Sequence, residues 1–297
     1  MNLEKIIQEY EEIRQQEKKE IKKADNKIMK ALSELAIDCL TDFYVTMKWR
    51  EYNPEKPELS TYDLFLRKIK NAQIHYNPED ITAFSLEAKE LQYHFFFDRL
   101  GYFFSALIEH HQQKSNYTGE YVVITEGLEK QMIRLGFENK ANVRIIGYGG
   151  VNSCAYMTEG TFIVDGNCGP VIGFCMKGGT VMIHGKSYGS AGTNMSGGSL
   201  TIDKDIMGKF GNHLENAKIT CYGSVEGSVG HNMTSGTITV HGSVNETIGE
   251  NMSGGKIFLN GTYSKLPERM YGGKIYHKGK CIDSVWKKRW RELFGRK

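Results

Sequence analysis

Methionine returns at a fixed interval through the second half of this chain, at Met157, Met176, Met195, then Leu214, then Met233, Met252 and Met270, in five steps of 19 residues and one of 18. Glycine falls in the same frame. Three residues before that position stand Gly173, Gly192, Gly211, Gly230 and Gly249. After it come the pairs Gly178–Gly179, Gly197–Gly198, Gly254–Gly255 and Gly272–Gly273. Each unit then carries a short alternating run: Thr161–Val164, Thr180–Ile183, Ser199–Ile202, Lys218–Cys221, Thr237–Val240, Lys256–Leu259 and Lys274–His277. A further glycine closes most of these runs, with Lys204 the exception.

A unit of this length with one four-residue strand has an apolar face that it cannot cover alone, so its stable use is stacking on copies of itself. The period therefore predicts a β-solenoid of seven coils, about 30 Å tall at ~4.8 Å per rung. Alternation sends the second and fourth positions of each strand inward. The first inward column reads Phe162, Val181, Leu200, Ile219, Ile238, Ile257 and Ile275, and the second Val164, Ile183, Ile202, Cys221, Val240, Leu259 and His277. Thirteen of those fourteen are apolar, and a slip of one residue would turn them all to solvent. The methionine column makes a third internal stack at a corner, where a flexible thioether fills irregular space. Glycines serve the sharp turns, a use that needs no ligand. No strand-to-helix context of the dinucleotide-binding kind follows them.

The repeated pattern G-x-x-M-x-G-G-x-I-x-V-x-G, as it stands in Gly230–Gly242 and Gly249–Gly261, resembles the GXGXG repeat domain. That domain ends the large subunit of glutamate synthase and forms one of the subunits of formylmethanofuran dehydrogenase. The likeness covers roughly residues 149–280 and implies a right-handed parallel β-helix that is not itself catalytic and serves as a scaffold between active domains or subunits. The first coil departs from the pattern with Cys154 where later coils have glycine, and the last carries Pro267, departures that suit terminal repeats. No flavin, iron–sulfur or amidotransferase motif accompanies the repeat, so no cofactor is expected and the activity of a glutamate synthase is not carried over.

Composition divides the chain. Residues 147–279 hold 28 of the 33 glycines, whereas residues 1–146 hold Gly101, Gly119, Gly127 and Gly136. The expected architecture is an α+β chain in two domains. Residues 1–116 form an α-helical domain, 117–148 a mixed junction that plugs the open end of the solenoid, 149–280 the β-helix, and 281–297 a basic amphipathic helix that caps it. From Leu3 through Leu35 apolar residues recur at three-four spacing, which predicts a long helix reaching toward Lys48. Between Glu4 and Lys27 seven acidic and seven basic residues balance, a self-paired face unsuited to nucleic acid. Pro54 and Pro57 end that helix, Ser60 with Asp63 caps a second one through about Gln73, and Asn77–Asp80 starts a third that runs to about Gln113. Seven of the twelve residues Tyr93–Phe104 are aromatic and point all around its axis, so it is either the centre of a helical bundle or a contact between copies of the chain.

Thirty-eight basic against 35 acidic residues give a net charge of +3, too even to make nucleic acid the default partner. The most apolar window, Tyr93–Ile108, is too short to span a bilayer, and Met1 opens a charged helix rather than a secretory signal. A cytoplasmic protein is expected. The six cysteines contain no C-x-x-C pair and read as reduced, mostly buried thiols.

Chemistry-bearing residues are few. His94 and Asp98 lie one turn apart on the third helix, with Glu109, His110 and His111 following, but the spacing is wrong for a carboxylate-bridged di-metal bundle. His184, Asp203, Tyr222 and His241 share one outward column, in which His184 and Asp203 are neighbours and the two histidines stand about 14 Å apart. The other outward columns stack no acids of the kind a glycan-cleaving β-helix needs. Asn194, Asn232 and Asn251, with His213, form an amide stack that stabilises a turn. The tail carries Trp286, Trp290, Leu293 and Phe294 on one side with Lys287, Lys288, Arg289 and Arg291 around it. Such a helix closes the last coil or meets an acidic partner or membrane surface through Trp286, Lys287, Arg289, Trp290 and Arg291. The reading that follows is a scaffold that binds other protein subunits or itself. The alternatives are an enzyme acting on a glycan or small metabolite between helices and solenoid, and an adaptor working through the basic tail.

Overall fold

The computed structural model describes residues 26–49, 57–88, 99–128 and 132–282. Residues 3–25 of the expected first helix, His94 and Asp98, and the tail from residue 283 lie outside these, while the remainder of that helix, toward Lys48, is present. Four helices come first: α1 (Asn26–Trp49), α2 (Pro57–Ala72), α3 (Pro78–Glu87) and α4 (Leu100–Ser115). A parallel β-solenoid of about eight turns follows. Its principal face is one ten-stranded sheet in the order β1 (Glu120–Ile124), β2 (Asn142–Ile146), β3 (Thr161–Asp165), β4 (Thr180–Ile183), β5 (Ser199–Ile202), β6 (Lys218–Cys221), β7 (Thr237–Val240), β9 (Lys256–Leu259), β11 (Lys274–His277) and β12 (Lys280–Cys281). β8 (Val244–Thr247) and β10 (Tyr263–Lys265) pair on a second face. None of the described helices is long and apolar enough to cross a membrane.

The strand register is the one the period predicts. Phe162, Val181, Leu200, Ile219, Ile238, Ile257 and Ile275 stand on successive rungs, each at most 1 % exposed. His277 ends the second inward column half-buried, its Nε2 3.0 Å from the Gly261 carbonyl and its ring edge-on to Tyr263. The methionine column is buried throughout, and a further internal stack, Ile172–Ala191–Phe210–Val229–Ile248, bridges rung to rung on another side.

Two rungs precede the first legible repeat. Val143 of β2 pairs with Phe162, already 19 residues on, and Tyr121 of β1 pairs with Val143 across a longer connection. Both inward side chains are buried, so the coil begins within the segment expected as a junction. The free edge of β1 is answered by α3: the Thr82 hydroxyl donates to the Val122 carbonyl at 2.8 Å and Ser85 Oγ accepts from the Ile124 amide at 2.9 Å. Covering an edge strand in this way removes a template for unwanted pairing. At the far end β12 turns back antiparallel on β11, with Cys281 opposite Tyr276.

The helices depart from expectation in two places. α3 starts where predicted, on a capping box in which Asn77 Oδ1 accepts from the Asp80 amide at 2.8 Å and Asp80 accepts from the Asn77 amide at 2.9 Å. It ends at Glu87, however, and a separate helix begins at Leu100. The expected single helix over 78–113 is thus interrupted, because Arg99 leaves helical pairing to bridge Met132. Gly101 then lets α4 press on the chain beyond, where a Cβ would stand 2.4 Å from the Ile133 carbonyl oxygen. The second departure is α2, which opens at Pro57 with Ser60 inside it. A proline's fixed φ suits a first helical turn better than a break before it. α4 is buried on every side from Leu100 to Ile108, against Phe84 of α3, Phe65 and Tyr62 of α2, and Phe137. One apolar core runs without interruption from Met29 of α1 to Ile275 of β11.

Candidate functional site

The column that leaves each principal strand toward solvent is a continuous polar array. It runs Asp165, His184, Asp203, Tyr222, His241 and Asn260, each held in line by its amide bonding the rung below, as from His184 to the Val164 carbonyl at 3.0 Å and from Asp203 to that of Ile183 at 2.9 Å. Arg144 of β2 opens the array. Its Nη1 lies 2.9 Å from Asp165 Oδ2 and its Nε 3.0 Å from Glu120 Oε2. Burial works against this guanidinium charge, but the hydrogen bonds to Asp165 and Glu120 outweigh it and hold the group charged. His184 Nδ1 then meets Asp203 Oδ2 at 2.7 Å, while its Nε2 stands 3.8 Å from Asp165 Oδ1.

The structure therefore brings His184 and Asp203 together as the sequence suggests and adds Arg144, which precedes the legible repeat, and Asp165, which stands one 19-residue step before His184 and was passed over although the frame exposes it. Above them Tyr222 and His241 stack at 4.6 Å and 15°, and His241 Nδ1 lies 3.1 Å from Asn260 Nδ2. Two residues further round the coil runs a second array, Asn167, Lys186, Asp205, Ser224, Ser243 and Thr262. Lys186 Nζ pairs with Asp205 Oδ2 at 2.9 Å, and Asp205 Oδ1 accepts from the Ser224 amide at 3.0 Å. Hydrogen bonding to Lys186 holds the Asp205 carboxyl below its ordinary range, with the Ser224 amide adding to the effect. Writing the sequence in its 19-residue frame would have exposed this column as well.

These arrays build the coil more than they arm it. Side chains of His184 and Asp203 are 47 % and 42 % exposed, so water screens the pair, and exposed ion pairs contribute little. Asp203→Asn is expected to cost about 1 kcal/mol or less in urea unfolding; a loss near 3 kcal/mol would show that the contact carries the rung. The stacked rings of Tyr222 on His241, and of Phe258 on Tyr276 at 4.8 Å and 10°, turn faces to one another along the axis. Each stack covers one face of each of its two rings. The asparagine column has a backbone purpose: Asn194, His213, Asn232 and Asn251 hold φ between 53° and 57°, the left-handed region that asparagine tolerates best after glycine.

Cys39, Cys154, Cys168 and Cys221 are buried thiols outside any disulfide, and burial pushes Cys221 up to about 12 and raises Cys154 and Cys168 as well. They act as small apolar groups of the interior and not as nucleophiles. Among the described residues no group of three or more His, Cys, Asp and Glu side chains is placed to hold a metal ion. His94, Asp98 and Trp286, Lys287, Arg289, Trp290 and Arg291 of the tail lie outside the described residues. No protein-family model matches the chain, and no curated protein matches it significantly.

Proposed function

We propose that this chain is a non-catalytic assembly subunit of the cytoplasm. In this reading a right-handed β-helix of the GXGXG kind carries a helical domain at one end and is closed by residues 281–297 at the other. It holds other protein subunits, or further copies of itself, at fixed separation. The observation that carries the reading is how the coil spends its side chains. Its inward columns are buried, and its outward columns bond the rungs above and below, which yields stiffness.

Affinity capture of the full-length protein from its native host, with size exclusion and mass spectrometry, is expected to recover it with partner subunits in fixed ratio or as a homo-oligomer. Recovery as a lone monomer that turns over a substrate overturns the proposal. Deleting residues 283–297 separates the two roles of the tail. Loss of solubility supports a cap, whereas loss of partner binding with an unchanged melting curve supports an adaptor.

A further inference from the structure

The large apolar side chains exposed among the described residues are Tyr188, Met207, Tyr222 and Tyr271. One face of Tyr222 is covered by His241, and Tyr271 lies in the column that follows the methionines. Tyr188 and Met207 differ from these because they are neighbours. They occupy one column on successive rungs, the Tyr188 amide bonding the Cys168 carbonyl and the Met207 amide that of Ser187, each at 2.9 Å. Glu226 continues the column, its amide 2.9 Å from the Ile206 carbonyl.

Both side chains project because of what stands beside them. The residues before them, Ser187 and Ile206, turn inward and are fully buried, and the residues after them are Gly189 and Gly208. A Cβ on Gly208 would point at the rung below, 2.6 Å from the Gly189 carbonyl carbon, so the chain stays flat between Met207 and Lys209. Asn167 Nδ2 ties the Tyr188 hydroxyl to the rung below at 3.4 Å. The result is a pair of apolar knobs, 52 % and 44 % exposed, on a stiff and otherwise polar surface, which is how a contact site differs from scattered exposed residues.

The charges around the pair make this face complementary to itself. Lys186 stands two residues before Tyr188 and Asp205 two before Met207, with Nζ and Oδ2 2.9 Å apart. A two-fold axis running along the rungs, midway between these two, sets Tyr188 of one copy opposite Met207 of the other and Lys186 opposite Asp205, each contact made twice. No like charges then meet, since Lys204 faces Gly185, Lys209 faces Ser190 and Glu226 faces Gly169. Other placements are worse. An axis through the Met207 rung sets Lys209 against Lys209 and Asp205 against Asp205, and one through the Tyr188 rung sets Lys186 against Lys186. An axis midway to the next rung sets Met207 against Glu226, and one along the coil sets Glu226 against Glu226.

The geometry points to a homodimer in which two solenoids lie antiparallel, joined by an isologous contact of Tyr188 with Met207 and of Lys186 with Asp205. The inference rests on the assembly reading and names a second copy of this chain as the partner. The contact is narrow, at or below about 1,200 Å² of buried surface, so a dissociation constant of about 10 μM is expected.

Sedimentation velocity of the full-length protein, at concentrations spanning that value, is expected to show monomer passing into dimer. Met207→Glu, at an exposed position, is expected to weaken the dimer by about tenfold or more with an unchanged melting curve. Lys186→Asp and Asp205→Lys each set like charges opposite one another across the two-fold, and each alone is expected to weaken the dimer by about tenfold or more. Mixed in equal amounts, the two variants are expected to pair with each other about as tightly as the parent does with itself, because the carboxylates of one then face the ammonium groups of the other. Repulsion inside each chain persists in the mixture, so only a contact between copies can produce this recovery. A protein that stays monomeric, a dimer indifferent to Met207→Glu, or no recovery on mixing overturns the proposal. A monomer that is still captured with other subunits in fixed ratio sinks this face and leaves the assembly reading standing, whereas substrate turnover by an intact dimer does the reverse.

Discussion

Gly254→Ala is expected to cost about 3 kcal/mol of stability, a large effect for a single methyl group. The physical reason is the closeness of successive rungs at this corner. A Cβ on Gly254 would stand 2.0 Å from the Thr234 carbonyl oxygen and 3.1 Å from its carbon. That carbonyl is backbone of the rung below, fixed between Met233 and the strand that follows, so it cannot swing aside as a side-chain tip would. Gly178, Gly197 and Gly272 meet the same obstacle at 2.1, 2.2 and 2.3 Å, which makes the collision a property of the corner and not of one residue. Asn251→Gly is the matched control, because φ there is already 56° and glycine adopts it freely. Urea unfolding followed by circular dichroism should show the control within about 1 kcal/mol of the parent. If Gly254→Ala also stays within that margin, close stacking is not what the glycine pairs are for.

Phe210→Ala should be costlier still, at about 3–5 kcal/mol. Phe210 is 0 % exposed and sits between Ala191 and Val229 in the internal stack. The small residue on the rung below gives the ring its room, so truncation leaves space that spans more than one rung and that no neighbour is long enough to fill. Because each turn of a solenoid touches only its neighbours, the damage should be local. Amide exchange is expected to rise first in Ala191–Val229 and hardly at all in α3 and β1. A loss below about 1.5 kcal/mol would mean that the stack collapses around the gap.

The parts of this fold that were legible in the sequence are those where one physical requirement recurs. Inward apolar positions every second residue and a thioether every nineteenth fix the register of β3 through β11. The first two rungs escaped because β1 and β2 have no glycine pair before them: their neighbours are α3 and Phe137 as well as the next coil, so the corner rule is relaxed. The break between α3 and α4 is hidden by the aromatic run, which satisfies any helical template. Its one local sign is Gly101, placed where the segment Ile133–Leu135 crosses closely. Within the candidate site, His184 and Asp203 were found because they share a column, and Arg144 was missed because it precedes the repeat. Tyr76 and His110 are far apart along the chain and are joined only by how the helices pack.

The reversal of β12 has a further consequence for how such a molecule can change length. A duplicate of residues 230–248 spliced in after Ile248 would present the same two surfaces that it joins, adding about 4.8 Å of rod. No such extension is open at the last strand, where Cys281 faces Tyr276 in antiparallel sense and offers the wrong polarity to a following turn. The coil can therefore be lengthened from within, by whole turns, and not by adding a parallel rung directly onto β12.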